Sequence, residues 1–260
     1  MSQKVRRLLP ALVVLSLLAF ATPALADNYV ALGDSYSSGT GTRSYTLDSA
    51  CQRGIYAYPY LISQQRPNTS LTFKACSGAK TGDVLANQVG AVTASTNIVT
   101  ITIGGNDAGF SSVITKCAEP WPVNCDGDIT NAQNYINGTL PGKLDQVYNA
   151  IDSRSPNAKV VVLGYPRLFM GIDCNALTFF SGSELSRLNQ TADILKNVTA
   201  ARAAAHGFVF KDAIPAFTGH AVCSSTEWLN GLSNPVSDSY HPNRTGHSSG
   251  YAPLVRSVIG

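Results

Sequence analysis

Past residue 26 the chain lacks any apolar run long enough to cross a bilayer, which takes about 20 residues. It also lacks repeats, linkers and low-complexity tracts. One domain over residues 27–260 is the simplest organisation. Cys-x-x-Cys is absent, and Cys and His do not cluster, which argues against a zinc site. The Gly104-Gly105 pair has neither the Lys-Ser/Thr of a phosphate-binding P-loop nor the third glycine of a dinucleotide fingerprint. Net charge is missing too. The formal +3 rests on Lys4, Arg6 and Arg7. Without them the balance is zero, so no overall charge draws the protein to nucleic acid or to an anionic membrane.

Those three cations precede an apolar stretch from Leu8 to Phe20, followed by Ala24-Leu25-Ala26. This is the pattern of a secretory leader over residues 1–26, cleaved before Asp27. All six cysteines, Cys51, Cys76, Cys117, Cys125, Cys174 and Cys223, lie beyond it. An even count in an exported chain favours three disulfides. Proximity favours Cys117–Cys125, and sequential pairing would add Cys51–Cys76 and Cys174–Cys223, among fifteen possible pairings.

Strand-like runs recur at Tyr29–Leu32, Leu71–Lys74, Ile98–Ile103, Lys159–Leu163 and Phe208–Lys211, several rich in Val and Ile as doubly buried strands are. Helix-like stretches separate them. These are Tyr58–Gln65, Thr81–Val89, Asn131–Ser153 interrupted near Gly138 to Gly142, Ser183–His206 capped by Ser183, and Thr245–Val258 with a bend at Pro253. The alternation predicts a three-layer α/β/α sandwich around a parallel sheet of about five strands, flavodoxin-like in type. Ser37–Arg53, Ala108–Thr130 and Phe217–Tyr240 read as long loops.

Three short blocks carry chemistry. Gly33-Asp34-Ser35-Tyr36-Ser37 follows the first strand, and a serine just past a strand's C-terminal end stands where such folds bind ligands. Gly104-Gly105-Asn106-Asp107 follows the third strand, and Asp238-Ser239-Tyr240-His241 lies near the C-terminus. Alone, Gly-Asp-Ser reads as a turn, Gly104-Gly105-Asn106-Asp107 as a tight turn or glycine-rich loop, and His241 as a structural residue. Together they offer a nucleophile, an amide able to bind an oxyanion, and an acid–x–x–His unit, which points to serine-based acyl transfer. Serine needs a base to become nucleophilic, and histidine titrates near neutrality. No Gly-x-Ser-x-Gly surrounds Ser35, so the α/β-hydrolase elbow is absent. Asp34 is expected to hold the turn, Asp107 to organise its loop, and His220 and His247 to be surface or loop residues.

With Gly78 in Ala75-Cys76-Ser77-Gly78-Ala79 as a fourth block, the chain resembles GDSL-type lipases and esterases of the SGNH hydrolase superfamily. It is especially similar to extracellular actinomycete lipases and phospholipases A1. The resemblance spans essentially the whole chain after the leader, in the right order. It implies Ser35 as nucleophile, His241 as general base then acid, and an oxyanion hole from the Ser35 and Gly78 backbone N–H groups and the Asn106 amide. For orienting His241 it implies Asp238, with the Ser239 carbonyl as the alternative found in some relatives. It further implies an enzyme acting on ester or lipid substrates; the leader makes it secreted, a monomer in transient contact with a lipid interface is expected, and no cofactor is implied, since Ser and His need none. Rival readings are an acetylated-polysaccharide esterase and a non-catalytic surface-binding protein. Tyr36, Phe110, Trp121, Phe179, Phe180 and Trp228 are expected to build either an acyl groove or loop cores.

Overall fold

A computed structural model describes residues 26–260. Apart from Ala26, the expected leader lies outside the described residues. In chain order the strands are β1 (Asp27–Gly33), β2 (Thr69–Phe73), β3 (Ile98–Thr102), β4 (Lys159–Leu163) and β5 (Val209–Lys211). The helices are α1 (Ser35–Ser38), α2 (Tyr58–Gln65), α3 (Thr81–Asp83), α4 (Phe110–Cys117), α5 (Asp126–Gly138), α6 (Leu140–Asp152), α7 (Gly182–Ala205), α8 (Ile214–Phe217) and α9 (Ala252–Ile259).

All strand pairs are parallel, in the order β2-β1-β3-β4-β5. The central β3 is buried along its whole length, as is β4 from Val160 onward. The edge strand β2 alternates, turning Leu71 and Phe73 inward. Helices α2 and α9 pack together and reach β2, β4 and β5, while α5, α6 and α7 pack against one another and reach β4 and β5 through α7. This is the expected three-layer sandwich. Because β2 lies on one side of β1 and β3 on the other, the strand order reverses between β1 and β3. A crevice opens there beyond the strand C-termini, and the loops after β1 and β3 carry Ser35 and Asn106.

Local sequence explains most boundaries. Pro59 sits in the first turn of α2, where its missing N–H costs nothing. The expected helix over Asn131–Ser153 is two helices meeting at Thr139, with Pro141 in the first turn of α6. Pro253 begins α9 rather than bending it, and a wide π-type turn, Gly246–Tyr251, leads in. The Thr81–Val89 stretch is likewise the short α3 followed by a π-type turn, Val84–Gln88. The cap of α7 is Ser181, not Ser183. Its hydroxyl accepts the Glu184 N–H at 3.2 Å, and the Glu184 carboxylate takes the Ser181 N–H at 2.8 Å, a reciprocal capping box. Helix α4 interrupts the loop expected over Ala108–Thr130. Its residues Phe110, Val113, Ile114 and Cys117 follow helical spacing.

The three disulfides are Cys51–Cys76, Cys117–Cys125 and Cys174–Cys223, the sequential pairing. They fit a secreted protein. Among the described residues no helix is long and apolar enough to cross a membrane.

Candidate active site

The chain leaves β1 through Gly33 at φ +120°. A Cβ there would lie 2.3 Å from the Thr102 carbonyl oxygen, so only glycine lets β1 and β3 approach while the chain turns. Gln88 brackets the Gly33 peptide, accepting its N–H at 2.7 Å and donating to its carbonyl at 2.9 Å. Asp34 then caps α1. Its carboxylate accepts from the Tyr36 N–H at 3.0 Å, the Thr102 hydroxyl at 2.7 Å and the Tyr165 hydroxyl. Burial raises its pKa to about 6 against the pull of these donors. All three contacts hold the turn, as expected, and none is to the Ser35 hydroxyl.

Ser35 is the first residue of α1. Its Oγ lies 2.8 Å from His241 Nε2, and His241 Nδ1 lies 2.8 Å from the Ser239 carbonyl oxygen. A carbonyl can only accept, so Nδ1 carries the proton and Nε2 is free to receive that of Ser35. Desolvation lowers the His241 pKa to about 4, opposed by the Ser239 carbonyl and the negative charge of Asp238. The imidazole is therefore a neutral base at pH 7. Tyr240, between the two, adopts a left-handed φ of +59°. That conformation is uncommon for a bulky residue and costs of order 1–3 kcal/mol. It is held on both sides. The Tyr240 N–H donates to the Asn230 carbonyl at 2.9 Å, and its carbonyl accepts the Tyr36 hydroxyl at 2.7 Å.

Asp238 does not take the place expected for a triad acid. Its carboxylate is fully buried but accepts from the Tyr45 hydroxyl, and Nδ1 of His241 is already bonded to the Ser239 carbonyl. The geometry is that of a Ser-His pair oriented by main chain. The Asp-x-x-His spacing brings the acid near without aiming it at the ring.

The expected oxyanion donors come from three segments stitched together. As the first residue of a helix, Ser35 has no intrahelical acceptor for its N–H. Gly78 occupies the third position of a turn closed by the Ala79 N–H on the Cys76 carbonyl at 3.1 Å. Its φ of +79° fits a type II turn. A Cβ there would meet nothing within 4 Å, so backbone conformation rather than crowding calls for glycine. The Cys76 N–H donates to the Gly33 carbonyl at 3.0 Å, fixing this turn to the end of β1. Asn106 spends one amide N–H on the Ala79 carbonyl at 3.1 Å. Asp107 organises the same junction, accepting from the Thr81 N–H at 2.9 Å and its hydroxyl at 2.6 Å.

Ser35, Asn106 and His241 open onto one cavity of about 320 Å³. It is lined by Phe110, Ile114 and Ala118 beside α4, Ile136 of α5, and Ala192 and Leu195 of α7. Of the aromatic residues weighed for an acyl groove, Tyr36 and Phe110 line it. Phe180 instead packs against Phe169 and Tyr240, behind the histidine loop. Trp228 packs on Phe217 and His220, while Trp121 and Phe179 are exposed. His220 is partly buried, its ring 3.8 Å from that of Trp228. His247 corrects the expectation of a surface residue. It is fully buried, takes the Tyr58 N–H on Nδ1 at 3.2 Å, and has its pKa lowered to about 3 by desolvation and by the nearby His241.

Tyr45, Gln88, Tyr165 and Asn230 brace the site, and sequence reasoning did not find them. Tyr45, Gln88 and Tyr165 act across long sequence separations, as does Asn230 toward Gly41, with no local motif to announce them.

The family model described as GDSL-like Lipase/Acylhydrolase family matches residues 31–248. Lipase 1 of Streptomyces coelicolor is 47% identical over 241 residues, covering 92% of this chain and 89% of its own. The crystal structure of an extracellular lipase from Streptomyces rimosus superposes with a TM-score of 0.84 at 47% identity, covering 90% of this chain and 100% of that one. That of phospholipase A1 from Streptomyces albidoflavus gives 0.84 at 43% identity, covering 90% and 99%.

Proposed function

Because the chain belongs to the GDSL-like lipase/acylhydrolase family and is a serine ester hydrolase of the lipase/esterase type, we propose that Ser35 and His241 carry out its acyl transfer. Ser35 Oγ attacks the ester carbonyl while His241 Nε2 takes its proton. The Ser35 and Gly78 N–H groups and the free amide N–H of Asn106 receive the developing oxyanion, the largest single contribution in such chemistry. His241 then returns the proton to the departing alcohol, leaving an acyl-Ser35. Water attacks that ester, His241 again taking and returning a proton, and the fatty acid leaves. The Ser239 carbonyl keeps Nδ1 protonated throughout, so Nε2 always faces Ser35.

The observation that carries this reading is the Ser35–His241–Ser239 chain of two 2.8 Å contacts opening onto an apolar cavity. Its apolar lining suits a fatty acyl group and offers little to an acetylated polysaccharide. We read the leader as removed before Asp27 and the remainder as a secreted monomer. Met170, Ile172, Leu177 and Phe179, all exposed on the loop between β4 and α7, support transient contact with lipid aggregates. The decisive test is activity on p-nitrophenyl esters and phosphatidylcholine, with fluorophosphonate labelling. Ser35→Ala and His241→Ala should each lose nearly all activity while remaining folded. A folded Ser35→Ala enzyme keeping more than about a tenth of wild-type kcat would refute the assignment. Regiochemistry of the phospholipid products decides whether it is a phospholipase A1.

A further inference from the structure

Asp238 is a buried carboxylate beside the catalytic histidine with no assigned task. It is fully buried. Oδ1 accepts the Tyr45 hydroxyl. Oδ2 carries no hydrogen bond among the described residues, and the mostly exposed Arg43 stands off with Nε at 3.9 Å. Leaving a buried carboxylate with one oxygen unpartnered is costly.

The surroundings form a closed frame. The Gly41 N–H donates to the Tyr45 hydroxyl oxygen at 3.0 Å, and that hydroxyl donates to Asp238. The Asn230 amide donates to the Asp238 carbonyl at 3.1 Å and returns to the Gly41 carbonyl at 2.9 Å. The Asn230 main chain also holds the far end of the loop, donating to the His241 carbonyl and accepting from the Tyr240 N–H, both at 2.9 Å. Asp238 and Asn230 thus fix both ends of the segment carrying the Ser239 carbonyl, alongside the Tyr36 hydroxyl on the Tyr240 carbonyl, the Ser239 N–H on the Val236 carbonyl and the Ser233 N–H on the Ser239 hydroxyl.

We infer that Tyr45 and Asp238 form a positioning pair that aims the Ser239 carbonyl at His241 and supplies, through space, the negative charge a main-chain acceptor lacks. The inference rests on the Ser35–His241 assignment above. Asp238 shares no proton with the ring, so the pair differs from a triad acid, whose carboxylate bonds Nδ1 directly. A carbonyl dipole orients imidazole but stabilises imidazolium weakly. A buried anion one residue away adds to that stabilisation, and Asp238 does raise the His241 pKa against the stronger effect of desolvation. Tyr45 suits the holding task. Burial and the carboxylate push its own pKa up to about 12, so it stays a donor across any working pH. The other groups around His241 are Tyr36, with its ring 5.3 Å away, the buried Asp34 behind Tyr36, and His247. Arg43 faces Asp238 from outside. All are unchanged in the variants below, so differences between variants isolate the pair.

The test is the pH profile of kcat/KM for Asp238→Asn and Tyr45→Phe on a soluble ester. Asp238→Asn should keep kcat within about tenfold of wild type, because the Ser239 carbonyl survives. It should also move the acid limb down by about one pH unit as the anion is lost. Tyr45→Phe should lower kcat with KM nearly unchanged, and the double variant should be no worse than the poorer single one, since Tyr45 acts through the carboxylate. An Asp238→Asn limb superimposable on wild type overturns the inference, as do losses that multiply in the double variant. A loss of about 10⁴ in kcat would instead restore the triad acid. If Asp238→Asn does not fold, the Tyr45→Phe profile decides alone, because an unmoved limb with wild-type kcat overturns the pair. Every readout is made on a working enzyme, so a failed Ser35 assignment shows separately, in Ser35→Ala.

Discussion

Replacing Asn106 with alanine separates binding of the ester from binding of its transition state. The Asn106 amide has two N–H groups. One is committed to the Ala79 carbonyl at 3.1 Å, and the other is the oxyanion donor of the proposed function, on a residue that lines the same cavity as Ser35. The committed bond fixes the direction of the free one, so the donor needs no reorganisation when charge develops. Removing one such donor costs about 2.7–4 kcal/mol in the transition state, or a hundred- to a thousandfold in kcat. A ground-state ester oxygen is weakly charged, so KM should change by much less. The same substitution leaves the Ala79 carbonyl without its partner, and Ala79 is buried. Stability should therefore fall by about 1–3 kcal/mol, read from urea unfolding. Steady-state kinetics on p-nitrophenyl butyrate gives the first quantity and the denaturation curve the second. If KM rises and kcat holds, Asn106 binds the ground state and the oxyanion argument fails. If kcat falls only as far as the folded fraction does, its role is purely structural.

The remaining predictions concern protons and cross-links. With the His241 pKa held near about 4, kcat/KM should stay on its plateau well below pH 6.5; an acid limb at the ordinary histidine value would contradict the desolvated base. His247 is buried neutral with its pKa lowered to about 3. The unfolded chain then binds one more proton between about pH 6.5 and 3, and stability is lost as pH falls through that window. His247→Gln should flatten the dependence by about 1.4 kcal/mol per pH unit. Asp34, shifted the opposite way, contributes equally to both proteins, and parallel curves would refute the account. Removing Cys174–Cys223, which spans 49 residues, should cost about 4 kcal/mol, more than the roughly 2.5 kcal/mol for Cys117–Cys125, which spans 8. Equal urea midpoints for the two paired Cys→Ser variants would show that loop length does not govern them.

The centre of the sheet was legible because β3 and most of β4 are buried on both faces. Val99, Ile101, Val161 and Val162 make dense apolar runs that mark β3 and β4 in the sequence, whereas the order of strands in the sheet comes from the structure. Helix α4 was hidden by its length. Eight residues opening on Gly109 look like loop, although Phe110, Val113, Ile114 and Cys117 carry the helical period. Ser35 and His241 were readable as candidates because each sits inside a short recognisable block, the first directly after β1. The bracing residues were not. Tyr165 reaches Asp34 across 131 residues and Gln88 reaches Gly33 across 55, and an isolated tyrosine or glutamine gives no local sign of where its polar end will go. His247 misled for a related reason. Only the packing of Tyr58 and Tyr251 around it makes that position interior.

The orientation of His241 shows where spacing stops being informative. An acid three residues before a histidine places two groups in one neighbourhood, and either the carboxylate or an intervening carbonyl can then face Nδ1. Two distant facts decide between them. Tyr240 is held in a left-handed conformation by Asn230 and Tyr36, which turns the Ser239 carbonyl toward the ring. The Asp238 carboxylate is claimed by a tyrosine 193 residues earlier in the chain. Asn230, Tyr36 and Tyr45, which impose both, all lie outside the Asp-Ser-Tyr-His block. The block is compatible with a triad and with a pair, and the residues that select the pair belong to the loops after β1 and β5. The Ser-His geometry is thus a property of how those loops close on each other, so substitutions at Tyr45 or Asn230 should alter the pH behaviour of His241 while leaving the block itself untouched.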